Sequence, residues 1–103
     1  MPIAYKHAPE PDFELAERLH KELTAAHWSD APETRGMHAY GYTQAEQEAI
    51  DMVVREATKI GMDAFSDLAG NMYLIQRGKN HRAKTDVIVS HLDTVEKGGA
   101  HDG

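Results

Sequence analysis

Three residues near the end of the chain have the types and spacing for metal chemistry. His91 directly follows the β-branched run Val87-Ile88-Val89-Ser90, Asp93 stands two positions on, and Asp102 follows the glycine pair Gly98-Gly99. The sequence contains no cysteine, so a metal held here must take nitrogen and oxygen ligands. A neutral imidazole ligates through one nitrogen when the other is held in the correct tautomer, usually by a carboxylate. Asp93 is spaced to be that orienting group. The Gly98-Gly99 turn lets the backbone fold back sharply, so that Asp102 can return to the same point. His91 and Asp102 are therefore the candidate metal ligands and Asp93 is the candidate catalytic-site residue behind His91. Spacing alone leaves an alternative open, a structural histidine satisfied at a strand end, because His-x-Asp is common by chance.

The elements that must position this cluster can be read in order. Residues 1–11 hold Pro2, Pro9 and Pro11 and form an N-terminal arm, since proline breaks regular helix. From Asp12, a plausible N-cap, Phe13, Leu15, Leu19 and Leu23 recur near helical spacing and predict a first helix over roughly 12–26. His20 falls on its polar side and reads as a surface residue. Residues 27–42 have no sustained period and contain Pro32, Gly36 and Gly41, so they predict a long connection. Trp28, Tyr40 and Tyr42 can pack it, and Arg35 and His38 are weighed there as ligand contacts against a surface ion pair and loop packing.

Thr43-Gln44-Ala45-Glu46 reads as a capping box and opens a second helix over about 43–60. Its stripe is Ala45, Ala49, Ile50, Val53, Val54, Ala57 and Ile60, and Gly61 is placed as its C-terminal cap. Residues 62–66 and 71–76 then predict an antiparallel hairpin, with Asp67 and Asn71 bonding the backbone of its turn. Asp86 to Ser90 predicts a third strand, apolar at its centre as befits burial on both faces. His91 would then emerge at the carboxyl edge of a sheet, where open α/β folds carry their ligands. The expected fold class is α/β, in the order helix-helix-strand-strand-strand, with helices packed on a mixed sheet.

Composition bounds what this framework can serve. With 103 residues there is room for one small domain or a piece of one. The apolar fraction of 41% and charged fraction of 27% are those of an ordinary soluble chain. A formal charge of -6 argues against a nucleic-acid surface, and no run of apolar residues is long enough to span a membrane. The N-terminus lacks the basic and apolar regions of a signal peptide, so a cytoplasmic protein is expected.

The string Ser90-His91-Leu92-Asp93-Thr94-Val95, followed by Gly98-Gly99 and Asp102-Gly103, resembles the metal-binding signature of binuclear zinc amidohydrolases. These include N-carbamoyl-L-amino-acid hydrolases, allantoate amidohydrolases and β-ureidopropionases, and are related to aminoacylase-like zinc peptidases. Thr34-Arg35, Thr43, Gly61-Met62 and Asp67-x-x-Gly70-Asn71 are similar too, so the resemblance covers roughly 12–103. It implies the N-terminal part of a zinc-peptidase-like catalytic domain in which His91 ligates one metal, Asp102 bridges two, and Asp93 orients His91. The implied cofactor is Zn2+, two per complete site, with Mn2+, Co2+ or Ni2+ as substitutes. The implied chemistry is hydrolysis of an amide, carbamoyl or ureido C–N bond by a metal-activated water.

Further ligands, the general base and the substrate lid would lie in a C-terminal remainder, either a separate polypeptide or a missing segment. The expectation is therefore an incomplete catalyst that acts on a small-molecule substrate once that remainder is present, as a homo-oligomer, a dimer, when complete. Two rivals stand beside it. One is a deacylase or peptidase of the aminoacylase type, and the other is a non-catalytic α/β fragment.

Overall fold

The structure, a computed structural model, describes residues 12–103; the expected arm over 1–11 lies outside the described residues. The element order is α1 (Phe13–His27), β1 (Trp28–Ser29), β2 (Gly36–Met37), α2 (Gln44–Lys59), β3 (Asp63–Ser66) and β4 (Met72–Ile75). Helices and small antiparallel ladders thus alternate, a mixed α/β arrangement. Each ladder has two strands, β1 with β2 and β3 with β4, and both are antiparallel.

Local signals explain both helices. Asp12 caps α1, its carboxylate accepting from Leu15 N at 2.9 Å. Past the end of α2, Gly61 adopts φ 86, and Gly61 N and Met62 N donate to Thr58 O and Ala57 O, each at 3.1 Å. The capping box forms only in part. Thr43 is the N-cap but makes no side-chain cap bond; its hydroxyl donates to Tyr40 O instead. Glu46 reaches back to Tyr42 N, because Tyr42 is turned to φ 60 and presents its amide to that carboxylate.

No residue of α1 is buried, and charge carries much of its attachment to α2. Arg18 grips Glu56 with two bonds of 3.3 and 3.2 Å, and Arg55 reaches Glu22 at 2.9 Å. The Glu56 side chain is only 11% exposed, and the Arg18 guanidinium holds its carboxyl at about 2, against an ordinary 4.5. The folded state therefore keeps Glu56 ionised where the unfolded chain takes up a proton. Stability from this pair is present above about pH 4.5 and is lost as pH falls toward about 2. Urea midpoints measured across that window should fall steeply for the native chain and less for Glu56→Gln. Equal slopes would show that the pair contributes nothing.

In the hairpin, Asp63 pairs with Ile75 and Ser66 with Met72. Asp67 organises the turn. One carboxylate oxygen accepts from Ala69 N at 2.9 Å and Asn71 N at 3.0 Å, and the other accepts from Asn71 Nδ2 and Tyr73 Oη at 3.0 Å each. These bonds, led by those from Asn71, lower the Asp67 pKa and give it the backbone role expected of it.

Two expectations need correction. Residues 86–90 are not a strand: they run without a ladder partner among the described residues, and Val87, Ile88 and Val89 are 75%, 98% and 85% exposed. A strand exists only by pairing, and β-branched composition cannot supply the neighbour. The order helix-helix-strand-strand-strand and the sheet with a doubly buried third strand are therefore not what forms. Conversely, residues 27–42 are not a featureless connection. They hold the β1-β2 ladder, with Trp28 opposite Met37 and Ser29 opposite Gly36. Two-residue strands are too short to leave a period.

Among the described residues the buried set is small: Gly36, Met37, Ala39, Ala49, Ala57, Thr94 and Gly98, with no large side chain fully enclosed. The architecture is open, and its buried point lies where β2 meets residues 94–98.

Candidate functional site

That buried point is the platform of the site. Met37 N donates to Gly98 O at 2.8 Å and Gly98 N returns to Met37 O at 3.1 Å. Thr94 N donates to Ala39 O at 2.7 Å, while the Thr94 hydroxyl accepts from Ala39 N at 3.0 Å. Residues 37–39 thus clamp both ends of the 94–98 segment, just beyond His91 and Asp93. Thr94 is only 7% exposed, so Thr94→Val keeps the shape but strands a buried amide. The expected loss is about 1–3 kcal/mol, read from the urea midpoint. An unchanged midpoint would mean that Ala39 N finds another acceptor.

The structure brings His91, Asp93 and Asp102 together. His91 Nδ1 lies 2.8 Å from Asp93 O and 3.3 Å from its Oδ1. The nearer oxygen belongs to the backbone carbonyl, so Asp93 touches the ring through its main chain as well as its carboxylate. A carbonyl only accepts, so Nδ1 carries the proton and the neutral ring presents the Nε2 lone pair. Nε2 faces Asp102 Oδ1 at 3.9 Å, beyond hydrogen-bond reach. In the neutral ring, two acceptor-type atoms face each other across this gap, and in the protonated ring the same approach is an ion pair. The His91 pKa is raised, first by the bond to the Asp93 carbonyl and then by the charges of Asp102 and Asp93, against partial desolvation. Gly103 lies so close that a Cβ there would stand 3.0 Å from His91 Nδ1 and overlap the His91 carbonyl.

Nitrogen and oxygen donors suit a borderline divalent ion, and His91 Nε2 and the Asp102 carboxylate are the two available at this point. Among the described residues, no group of three or more histidines, aspartates or glutamates is arranged to hold a metal. These two donors would fit one side of a coordination sphere.

The pair lies at the edge of a cleft of about 490 Å³, walled by Leu23, Val53 and Leu74. His27 also lines it; the side chain is 10% exposed, and its Nε2 lacks a hydrogen-bond partner among the described residues. His38 is engaged elsewhere, with Nε2 2.6 Å from Thr34 O and Nδ1 3.2 Å from Tyr40 Oη. Arg35 is exposed and forms no ion pair among the described residues.

Sequence reasoning missed His20. It is half-buried, its Nε2 lies 2.9 Å from Ala100 O, and its ring stacks on His101 with centroids 4.5 Å apart and planes 6° from parallel. Eighty positions separate His20 from Ala100, and no local pattern announces such a contact.

No family model matches the chain, and no solved structure matches it. Among curated proteins, the N-carbamoyl-L-amino acid amidohydrolase of Geobacillus stearothermophilus is 34% identical over 68 residues, which is 66% of this chain and 17% of that enzyme. The chain thus matches about one-sixth of the length of this relative. None of the described helices is long and apolar enough to cross a membrane.

Proposed function

We propose that this chain is the N-terminal portion of a metal-dependent amidohydrolase that cleaves a linear C–N bond of the carbamoyl or ureido type. One observation carries the proposal: His91, with Nδ1 bonded to the Asp93 carbonyl, presents Nε2 to Asp102 at 3.9 Å. Similarity to an enzyme named for N-carbamoyl-L-amino acids supports the substrate class. When bound, a divalent metal, Zn2+ in the first instance, supplies Lewis-acid activation of the hydrolytic water and the scissile carbonyl. The chain's own residues have separate duties. His91 gives a neutral nitrogen donor, Asp93 fixes the tautomer and direction of its ring, and Asp102 supplies an anionic oxygen donor. The other ligands, a general base and the substrate pocket belong to the rest of the enzyme, which assembles as a dimer.

Zinc affinity of the chain assembled with the rest of the enzyme, measured by competition with a chromogenic chelator, tests the site. His91→Ala and Asp102→Asn should each abolish the binding seen with the native chain. Retention of native affinity by both would sink the proposal. In the assembled enzyme, N-carbamoyl amino acids should be cleaved to amino acid, carbon dioxide and ammonia in preference to N-acyl analogues. The reverse preference would favour the deacylase.

A further inference from the structure

We infer that His20 is a positioning residue for Asp102, fixing from helix α1 the loop that aims this carboxylate at His91. The inference rests on the proposed role of Asp102 in metal binding, but its geometry stands independently. Ala100 O can only accept, so His20 Nε2 carries the proton and donates to it at 2.9 Å. The face of the same ring stacks on His101 at 4.5 Å. One side chain thus restrains the main chain at position 100 and the side chain at 101, the two residues directly before Asp102.

At its other end the loop is held by the paired bonds between Met37 and Gly98, and within it Asp102 N donates to Gly99 O at 3.2 Å. Residues 98–102 are therefore fixed at both ends, by β2 and by α1. Ala100 is half-buried, whereas His101, Asp102 and Gly103 are exposed, so this end of the loop is restrained by His20 before the carboxylate and by the close approach of Gly103 to His91 after it. Groups behind a ligand matter because a donor held in place loses less freedom on binding, and removing such a support typically lowers metal affinity about 10- to 100-fold.

The test has two readouts, metal-free spectra of the chain itself and zinc competition on the chain assembled with the rest of the enzyme. In the metal-free protein, 1H–15N spectra of His20→Ala should show displaced amide resonances for His101, Asp102 and Gly103, with those of α2 and the β3-β4 hairpin unchanged. In zinc competition, His20→Ala should weaken binding about tenfold or more. His20→Gln retains a donor for Ala100 O and should recover part of the loss, while His20→Phe retains the stack alone and should recover less.

His91→Ala separates the two ideas. If it abolishes zinc binding while His20→Ala binds as the native chain does, the positioning role is overturned and the site stands. If His91→Ala binds normally, the metal site falls, and the metal-free spectra decide: displaced resonances support a loop held by His20, and unchanged ones overturn it. A loss with His20→Ala that His20→Gln does not reduce would overturn the assigned bond to Ala100.

Discussion

Gly36→Ala should detach the 94–103 segment from β2 while both helices remain folded. Gly36 sits at φ 134, a backbone conformation that side-chain-bearing residues rarely adopt. A Cβ there would stand 2.6 Å from the carbonyl carbon of Lys97 and 2.7 Å from its Cα. Backbone atoms cannot swing aside as a flexible side chain can. The strain alone costs about 1–3 kcal/mol. Relieving the overlap must also part Met37 from Gly98 and lose their bonds of 2.8 and 3.1 Å. In a domain held by about 5–15 kcal/mol, that is a large fraction. The urea midpoint should fall, and the Gly98 amide should lose hydrogen-exchange protection. Gly99→Ala is the control in the same loop: its Cβ would meet nothing within 4 Å, so the change should stay within about 0.5 kcal/mol. Native protection at Gly98 in Gly36→Ala would show that the close approach to Lys97 is not what holds the platform.

At micromolar concentration the isolated chain should self-associate through residues 86–90, and Ile88→Lys should return it to a monomer. Val87, Ile88 and Val89 are consecutive, β-branched and at least 75% exposed, with no ladder partner among the described residues. Such a segment offers a row of unpaired N–H and C=O groups together with apolar side chains on both faces, the combination that templates pairing with another strand. A lysine at the middle position places a charge in any such pairing, the device by which natural edge strands resist it. Sedimentation velocity over a concentration series reads the outcome directly. A native chain that stays monomeric throughout would remove the strand-pairing account of this run. Association unchanged by Ile88→Lys would move the contact elsewhere, the stacked Phe65 and Tyr73 on the hairpin being the next surface to mutate.

Both expectations concern the same physical division. Asp12, Gly61 and Asp67 act through hydrogen bonds spanning a few residues, so the helices and hairpin that they delimit are legible in the sequence. His91, Asp93 and Asp102 were legible as a group for a related reason, since all three fall within twelve consecutive residues whose turn is shaped by glycine. The partly formed capping box marks where local logic weakens. Tyr42 and Thr43 obey their tertiary surroundings, and Glu46 takes the amide that is offered.

By itself, then, the sequence determined the two helices, the α1 N-cap and α2 C-cap, the hairpin and the identity of the candidate ligands, because propensity, capping and turn chemistry act over three or four residues of the chain. Tertiary structure decided what depends on a partner remote in sequence. It paired β1 with β2 and laid Met37 and Ala39 along Thr94 and Gly98. It left Val87 to Val89 without a neighbour, and it brought His20 to the loop that carries Asp102. A backbone amide or an imidazole can bond any acceptor within reach, and only the folded path of the chain selects which one that is.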